Sequence, residues 1–399
     1  MEEKNKAGIE SHLTRREFVR RSGLVGAASL FAGQAGRSFA EEEDVDGSER
    51  IRSTGYAARD ETGTLSPWEF ERRALREGDV LIDIRYCGVC HSDIHQLRGE
   101  WGPETYPQVP GHEITGIVAA LGSGVTRFSV GDRVGVGCMV SSCGSCSNCK
   151  KGLEHYCQQR ATKFTYGSPD PSSPTGITQG GYSNNIVVDE RFVIRIPDGL
   201  SLRDAAPLLC AGITTYSPLV RAQLREGDKV GVIGIGGLGH VAVKLAHSIG
   251  AEVYGFTTSP DKIADITSFG AKEGVHVRSM QDLHPYYQRM DYVISTVPVD
   301  FDLGGYSWLV KPYGTFTQVG MPKAGKLTLT HFNLVYNRVN FNGSMIGGVP
   351  ETQEVVDYCA TRRITPQTQL IEAHEINAAW KKVIDKHARY RFVIDAATL

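Results

Sequence analysis

Between about residues 50 and 197, apolar and polar positions alternate with period two in short runs: "DVLIDIRY", "ITGIVAALGSGV", "DRVGVGC", "YSNNIVVDE" and "FVIRIP". Each run is closed by glycine or another turn residue. The alternation turns one face of each run to a core and the other to water, and the close spacing of the turns predicts a barrel-like β domain. From Lys229 the texture changes. "KVGVIGIG" is continuously apolar, as a strand covered on both faces must be, and His240 to Ile249 carries helical spacing that Gly250 stops. "EVYGFTT", "DYVISTVP" and "GTFTQVG" continue in the same style. Apolar strands alternating with helices predict a parallel, doubly wound α/β sheet. Between the two regimes, "AAPLLCAGITTYSPLV" reads as a helical stretch despite Pro207, with Cys210 inside it. After Gly347 come a helix from about Glu351, another near Asn377 to Lys386, and the strand "YRFVIDA". Pattern alone lets this tail join either domain.

The length of 399 residues suits two domains, and no internal repeat or low-complexity tract complicates that division. With 43 basic against 45 acidic side chains, no global charge points to nucleic acid or to an anionic membrane. The first forty residues fit neither texture. Thr14-Arg15-Arg16-Glu17-Phe18-Val19-Arg20 is a twin-arginine pattern, followed by a modestly apolar stretch from Gly23 to Ala35 that is too short to span a membrane. Ser38 and Ala40 stand at cleavage-like spacing before an acidic run. Residues 1–40 therefore read as a twin-arginine-type signal peptide, outside the fold, which predicts export to the periplasm through the twin-arginine machinery. A basic disordered leader is the alternative.

Nine cysteines carry the chemistry. Cys143, Cys146, Cys149 and Cys157 form C-x2-C-x2-C-x7-C in a loop rich in Ser, Gly and Asn, the pattern of a closed tetrahedral structural zinc site. An iron–sulfur cluster and, in an exported protein, a disulfide pair are the alternatives. A second group is dispersed: Cys90 in "GVCHSDIH", His112 and Glu113 in "VPGHE", and Cys210. Two cysteines and a histidine leave one tetrahedral position open, the arrangement of catalytic zinc, a Lewis acid for a carbonyl or an alkoxide. Cys87, Cys138 and Cys359 lack such companions and read as buried apolar side chains.

Gly234-Ile235-Gly236-Gly237-Leu238-Gly239 is a G-x-G-x-x-G that follows a strand and opens a helix, the setting of a dinucleotide fingerprint. About twenty residues on, an NAD enzyme places an acidic residue for the ribose diol. Here stands "TTSPDK", where the hydroxyls of Thr257, Thr258 and Ser259 and the Lys262 ammonium suit a 2′-phosphate and predict NADP(H). Asp261 leans toward NAD, and Ser259-Pro260 also has the form of a helix start.

Together, "GVCHSDIH", "VPGHE", the four-cysteine loop, "LLCAGITTYSP", "GIGGLG" and "YRFVID" resemble the zinc-dependent medium-chain alcohol dehydrogenases. The likeness is greatest to the cinnamyl-alcohol-dehydrogenase branch and its bacterial broad-range aldehyde reductases. It covers nearly everything after about Thr54. The resemblance implies an α/β fold with a GroES-like β-rich catalytic domain (residues 50–205, completed by 347–399) and a Rossmann nucleotide-binding domain (206–346). It implies two zinc ions per chain, with Cys90, His112 and Cys210 on the catalytic ion and Glu113 able to approach it. Ser92 would exchange a proton with the alkoxide, His95 would relay it through the nicotinamide ribose, and Asp93 would orient His112. Cofactor contacts are implied at Thr214, Gly234, Gly236, Gly237, Leu238, Gly239, Thr296, Gly320, Ser344, Met345 and Ile346, while relatives often carry a second basic residue where Ile263 stands. Trp101 and Met345 would line the substrate pocket, and a homodimer is expected. The activity implied is NADPH-dependent interconversion of aldehydes and primary alcohols. Zinc-free quinone or enone reduction on the same fold, or a non-catalytic NADPH-binding redox sensor, are the competing readings, against which the complete donor set and the relay residues stand.

Overall fold

A computed structural model describes residues 50–399 except residue 324, so the twin-arginine segment lies outside the described residues. Two sheets organise them. The first runs Thr368–Ile371, Arg391–Asp395, Asp79–Gly88, Ile114–Leu121, Arg133–Val136, Val193–Arg195, with Asn185–Asp189 also paired to Asp79–Gly88. Along Asp79–Gly88, Val80, Ile82 and Ile84 are buried while Asp83 and Arg85 are exposed, which is the period-two expectation met in detail. Arg391–Asp395 pairs antiparallel with Tyr86–Gly88, which attaches the chain's last strand to this sheet.

The second sheet is all parallel and six-stranded, in the order Glu273–His276, Glu252–Thr257, Lys229–Ile233, Met290–Ser295, Val310–Gln318, Asn340–Gly343. Numbered along the chain, that order is 3-2-1-4-5-6, the doubly wound arrangement whose crevice opens where the order reverses, between Lys229–Ile233 and Met290–Ser295. The Gly-rich loop leaves Lys229–Ile233 at that point and leads into the helix Gly239–Ile249, which Gly250 closes with φ 97°.

One local expectation fails. Cys210 is not inside a helix: a 3₁₀ turn, Ala206–Leu209, stops at it, and the α-helix Ala211–Arg221 begins after it. At φ −130° and ψ −68° the Cys210 backbone breaks the helical path. The break frees its thiol from the spacing of either helix and lets it face the other cysteine of the site. The last two helices also start earlier than their apolar pattern indicates, at Val349–Arg362 and Ile376–Ile384. Among the described residues no helix is long and apolar enough to cross a membrane.

Candidate active site

Cys90, His112, Glu113 and Cys210 are all buried, and one donor atom from each lies within 4.8 Å of the others. Local structure explains how they meet. Cys90 is the N-cap of the helix His91–Leu97, and Asp93 in the first turn reaches back to accept the Cys90 N–H at 2.9 Å, a capping box that sets the cysteine's direction. His112 and Glu113 follow Gly111, whose φ of +105° and lack of space for a Cβ (Tyr182 and Cys87 Sγ would lie within 2.8 Å) demand glycine. The Cys90 and Cys210 sulfurs stand 3.9 Å apart, and His112 Nε2 is 3.2 Å from Cys210 Sγ. Two sulfurs sharing a tetrahedral zinc at about 2.3 Å are separated by about 3.8 Å. The donor set, its burial and its spacing therefore fit zinc.

Asp93 is fully buried and serves as a hub. Oδ1 accepts from His112 Nδ1 at 3.0 Å, from the Gly111 N–H at 3.2 Å and from the Tyr166 hydroxyl at 2.7 Å. Oδ2 accepts from the Cys90 N–H and from the Tyr182 hydroxyl at 3.0 Å. Holding the proton on His112 Nδ1 leaves the Nε2 lone pair toward the cysteines, where a metal would sit. Glu113 pairs with Arg391, which is equally buried, and its other oxygen, Oε2, has no hydrogen-bond partner among the described residues. Burial pushes the Glu113 carboxyl above the ordinary carboxylate range against the pull of Arg391. Burial also opposes the Arg391 charge, but Glu113 and the two thiols outweigh it.

The four-cysteine loop brings Cys143 Sγ to 3.7 Å from Cys149 Sγ and Cys146 Sγ to 4.0 Å from Cys157 Sγ. These are again tetrahedral edges, nearly twice the length of an S–S bond, so the disulfide alternative has no pair here. All nine cysteines are unbridged. The Cys146 N–H donates toward Cys143 Sγ, which lowers that thiol's pKa to about 6 and readies it for a metal. Cys87 and Cys359 are buried as expected, but Cys138 is not a plain core residue: it is half-buried and its thiol points to the Leu209 carbonyl at 3.9 Å.

Around the Gly-rich loop the backbone is tightly held on one side and open on the other. A Cβ at Gly239 would lie 2.0 Å from the Gly234 carbonyl oxygen, whereas one at Gly236 would meet nothing within 4 Å. The Thr296 hydroxyl donates to the Gly234 carbonyl at 2.7 Å, and the Gly320 backbone packs against Val297 too closely for any side chain. Thr214 Oγ1 is buried without a partner among the described residues, one turn past Cys210. That orphan hydroxyl and the open face at Gly236 fit a dinucleotide laid from the loop toward the metal donors. Leu238 is the N-cap residue of the helix that follows. Ser344, Met345 and Ile346 follow the edge strand, and the Met345 N–H donates to the Tyr156 hydroxyl at 3.2 Å.

At the far end of the crevice, Thr257 is buried, Thr258 exposed and Ser259 half-buried. Ser259 is indeed an N-cap with Pro260 at N1, yet its hydroxyl makes no capping bond. Lys262, expected to receive the 2′-phosphate, is already engaged. It is buried, its Nζ donates to the Ile235 carbonyl at 2.9 Å, and burial first, then Arg389, lowers its pKa to about 8.

Beside the metal donors, Ser92 is half-buried in the first turn of His91–Leu97 and His95 is buried in the last. His95 Nδ1 is 2.5 Å from Glu100 Oε2, while Nε2 is buried without a partner among the described residues. The Trp101 ring lies 5.4 Å from the His95 ring, and its Nε1 donates to the Pro322 carbonyl across the crevice. Met345 is 37% exposed. Sequence reasoning missed Arg391, Glu100, His240 and the tyrosine pair on Asp93. His240 is fully buried and neutral, with a pKa lowered to about 3 by burial; Nδ1 donates to the Gly236 carbonyl, and Nε2 accepts from the Gln367 N–H. A charged residue within the apolar strand "YRFVID" was the available signal for Arg391.

Residues 76–198 match the alcohol dehydrogenase GroES-like domain family and residues 237–361 the zinc-binding dehydrogenase family. The chain is 47% identical to NADP-dependent alcohol dehydrogenase C 1 of Mycolicibacterium smegmatis, covering 87% of this chain and 98% of that protein. It is also 47% identical to the aldehyde reductase YahK of Escherichia coli, over 88% and 99%. Among solved structures, the cinnamyl alcohol dehydrogenase SbCAD4 of Sorghum bicolor superposes with a TM-score of 0.83 at 37% identity, over 87% of this chain and 98% of that one. The CAD of Helicobacter pylori complexed with NADP(H) gives 0.82 at 42%, over 88% and 99%.

Proposed function

The chain belongs to the zinc-type medium-chain alcohol dehydrogenases, and from that premise we propose how its buried donors and Gly-rich loop perform the reaction. It is a zinc- and NADPH-dependent aldehyde reductase/alcohol dehydrogenase that interconverts aldehydes and primary alcohols by hydride transfer. One observation carries the assembly of the site. The Arg391 guanidinium pairs with Glu113 on one side and lies against the Gly-rich loop on the other, where a Cβ on Gly237 would come within 2.6 Å of Nη1. Metal donors and dinucleotide loop therefore share one buried cation.

Cys90, His112 and Cys210 would hold the catalytic zinc with Glu113 in reach, and Cys143, Cys146, Cys149 and Cys157 the structural ion. When bound, zinc supplies a Lewis acid for the carbonyl oxygen and NADPH supplies the hydride. Asp93 keeps His112 in the metal-facing tautomer. Ser92 hands a proton to the forming alkoxide, and His95, held at Nδ1 by Glu100, offers Nε2 as the next station toward solvent. The hydroxyls of Thr257, Thr258 and Ser259 with Lys262 receive the 2′-phosphate. Trp101 and Met345 border the substrate.

The place of action is the periplasm, supported by Arg15-Arg16 and the short apolar stretch after them; export of a folded chain suits a protein that takes up its metals before crossing. A homodimer is supported by Phe332, Val335 and Tyr336, all exposed on the helix His331–Tyr336 beside the sheet-edge strand Asn340–Gly343. The decisive experiment compares NADPH oxidation by an aldehyde before zinc chelation, after it, and after zinc is restored. Loss and recovery of turnover is the expected result. Turnover that survives complete removal of both ions sinks the reading in favour of zinc-free reduction.

A further inference from the structure

The loop that receives the 2′-phosphate contains an acidic residue in an awkward place. Asp261 stands two residues past Ser259, its side chain is 64% exposed, and a phosphate dianion bound to the hydroxyls of Thr257, Thr258 and Ser259 would meet its charge. Lys262 alone answers poorly, because it is buried, already donates to the Ile235 carbonyl, and sits where burial disfavours its charge. Position 263, where a second cation would be local in sequence, is isoleucine.

The compensating cation comes from elsewhere in the chain. Arg389 lies in the turn between the helix Ile376–Ile384 and the strand Arg391–Asp395, 128 residues from Asp261. Its Nη2 pairs with Asp261, and its Nε stands 3.7 Å from Asp265 Oδ2, the oxygen that also accepts the Tyr390 hydroxyl at 2.6 Å. Tyr390 is the spacer of the arrangement. The Arg389 guanidinium carbon lies 5.8 Å from its ring centre and Lys262 Nζ 5.6 Å, so one ring holds both cations beside the loop. A guanidinium carries five N–H donors, and two carboxylates do not exhaust them. Lys386, in the same turn, adds a further positive charge felt at Lys262.

We infer that Arg389 is a specificity determinant for NADPH, cancelling Asp261 and presenting its remaining N–H donors to the 2′-phosphate in the role that position 263 leaves vacant. The inference rests on the NADPH reading above and extends it to a residue outside the nucleotide-binding sheet. The phosphate is then gripped from two directions, by the loop after Glu252–Thr257 and by the turn that enters the last strand of the catalytic sheet.

The test uses the full zinc-loaded protein and two adenosine fragments that differ only in the phosphate, 2′,5′-ADP and 5′-AMP, titrated calorimetrically into wild type, Arg389→Ala, Arg389→Lys and the double variant Arg389→Ala/Asp261→Asn. Arg389→Ala is expected to weaken 2′,5′-ADP by roughly ten- to a hundredfold, the loss of a charge-assisted contact, while 5′-AMP changes by less than about threefold. Arg389→Lys should recover part of the loss. Asp261→Asn on the alanine background should recover the share that is repulsion. Equal weakening of both fragments, or no change in either, overturns the inference while wild-type preference for 2′,5′-ADP leaves the NADPH reading standing. Wild type that binds both fragments equally overturns the NADPH reading, and Arg389 falls with it.

Discussion

Replacing Asp93 by asparagine tests the site at its most connected point. The change is nearly isosteric, so no cavity forms, and its cost follows from counting donors. Five converge on the carboxylate: three on Oδ1 and two on Oδ2. An amide offers one oxygen and must turn an NH₂ toward the rest. With oxygen at the Oδ1 position, the NH₂ meets the Cys90 N–H, a donor facing a donor. It also meets the Tyr182 hydroxyl, which can rotate to accept but already receives Trp380 Nε1 at 3.3 Å. The flipped amide is worse, because it sets the NH₂ against both His112 Nδ1 and the Gly111 N–H. The better orientation thus strands one buried donor, at about 1–3 kcal/mol, and turns three charge-assisted bonds into neutral ones at about 1 kcal/mol each. The sum is about 4–6 kcal/mol. With unfolding entropy near 2.1 cal/mol/K per residue over roughly 350 residues, the melting temperature should fall by about 5–8 °C. Zinc affinity at the catalytic site should drop by about 10- to 100-fold, as the bond that orients His112 becomes a weaker, neutral one. Calorimetric melting of the zinc-saturated protein and competition with a chromophoric chelator read the two effects separately. An Asp93→Asn protein that melts within about 1 °C of wild type and holds zinc equally well refutes the donor count.

Ser92→Ala should keep zinc and NADPH binding while lowering kcat by about 10²–10⁴-fold; Glu100→Gln, which loosens only the far side of His95, should cost about tenfold, and equal losses in the two variants would contradict their order in the relay. NADPH affinity should be full below about pH 8 and weaken as pH rises through that value, because Lys262 is charged only below it and the phosphate must restore its proton; NADH affinity measured over the same range should not follow. Cys146→Ala should lose one of two zinc ions by elemental analysis and lower stability sharply, since structural zinc contributes on the order of 10 kcal/mol of binding free energy; full zinc content in that variant would show that Cys146 is not a ligand.

The elements that were legible share one property: their signal is local. The four-cysteine loop, the strand–glycine–helix passage through Gly234 and Gly239, and the alternation along Asp79–Gly88 each lie within a few turns of chain. Cys90, His112 and Cys210 were identifiable only as a combination that resembles a family, because their separations of 98 and 120 residues carry no periodicity. The residues that were missed are those with partners far off in the sequence, beyond the reach of any local pattern. Arg391 meets Glu113 across 278 positions, and Trp380 reaches the Asp93 hub through Tyr182 across 198. Glu100 was the exception, only five residues from His95, but it stands beyond the end of the helix, where spacing rules for one face no longer apply. The helical misreading of Cys210 has the same origin: apolar spacing sees burial, and a buried break in a helix is as apolar as the helix.

The charges of the site explain why its parts stand together. Cys90 and Cys210 as thiolates would neutralise a zinc dication, which would leave Glu113 beside them as an unmatched, buried anion. Breaking a buried pair by removing one partner costs about 3–5 kcal/mol, and a lone carboxylate here would carry such a penalty. Arg391 removes it, and its own burial is tolerable for the same reason. Yet Arg391 is placed by the last strand, whose pairing with Tyr86–Gly88 sets it directly beside the strand that leads into Cys90. Its outer edge is packed against Gly237, so any shift of that strand moves the cation relative to both the donors and the loop. Substitution of Arg391 is therefore never local: the same side chain balances the metal site, limits how closely the Gly-rich loop approaches it, and ties both to the end of the chain.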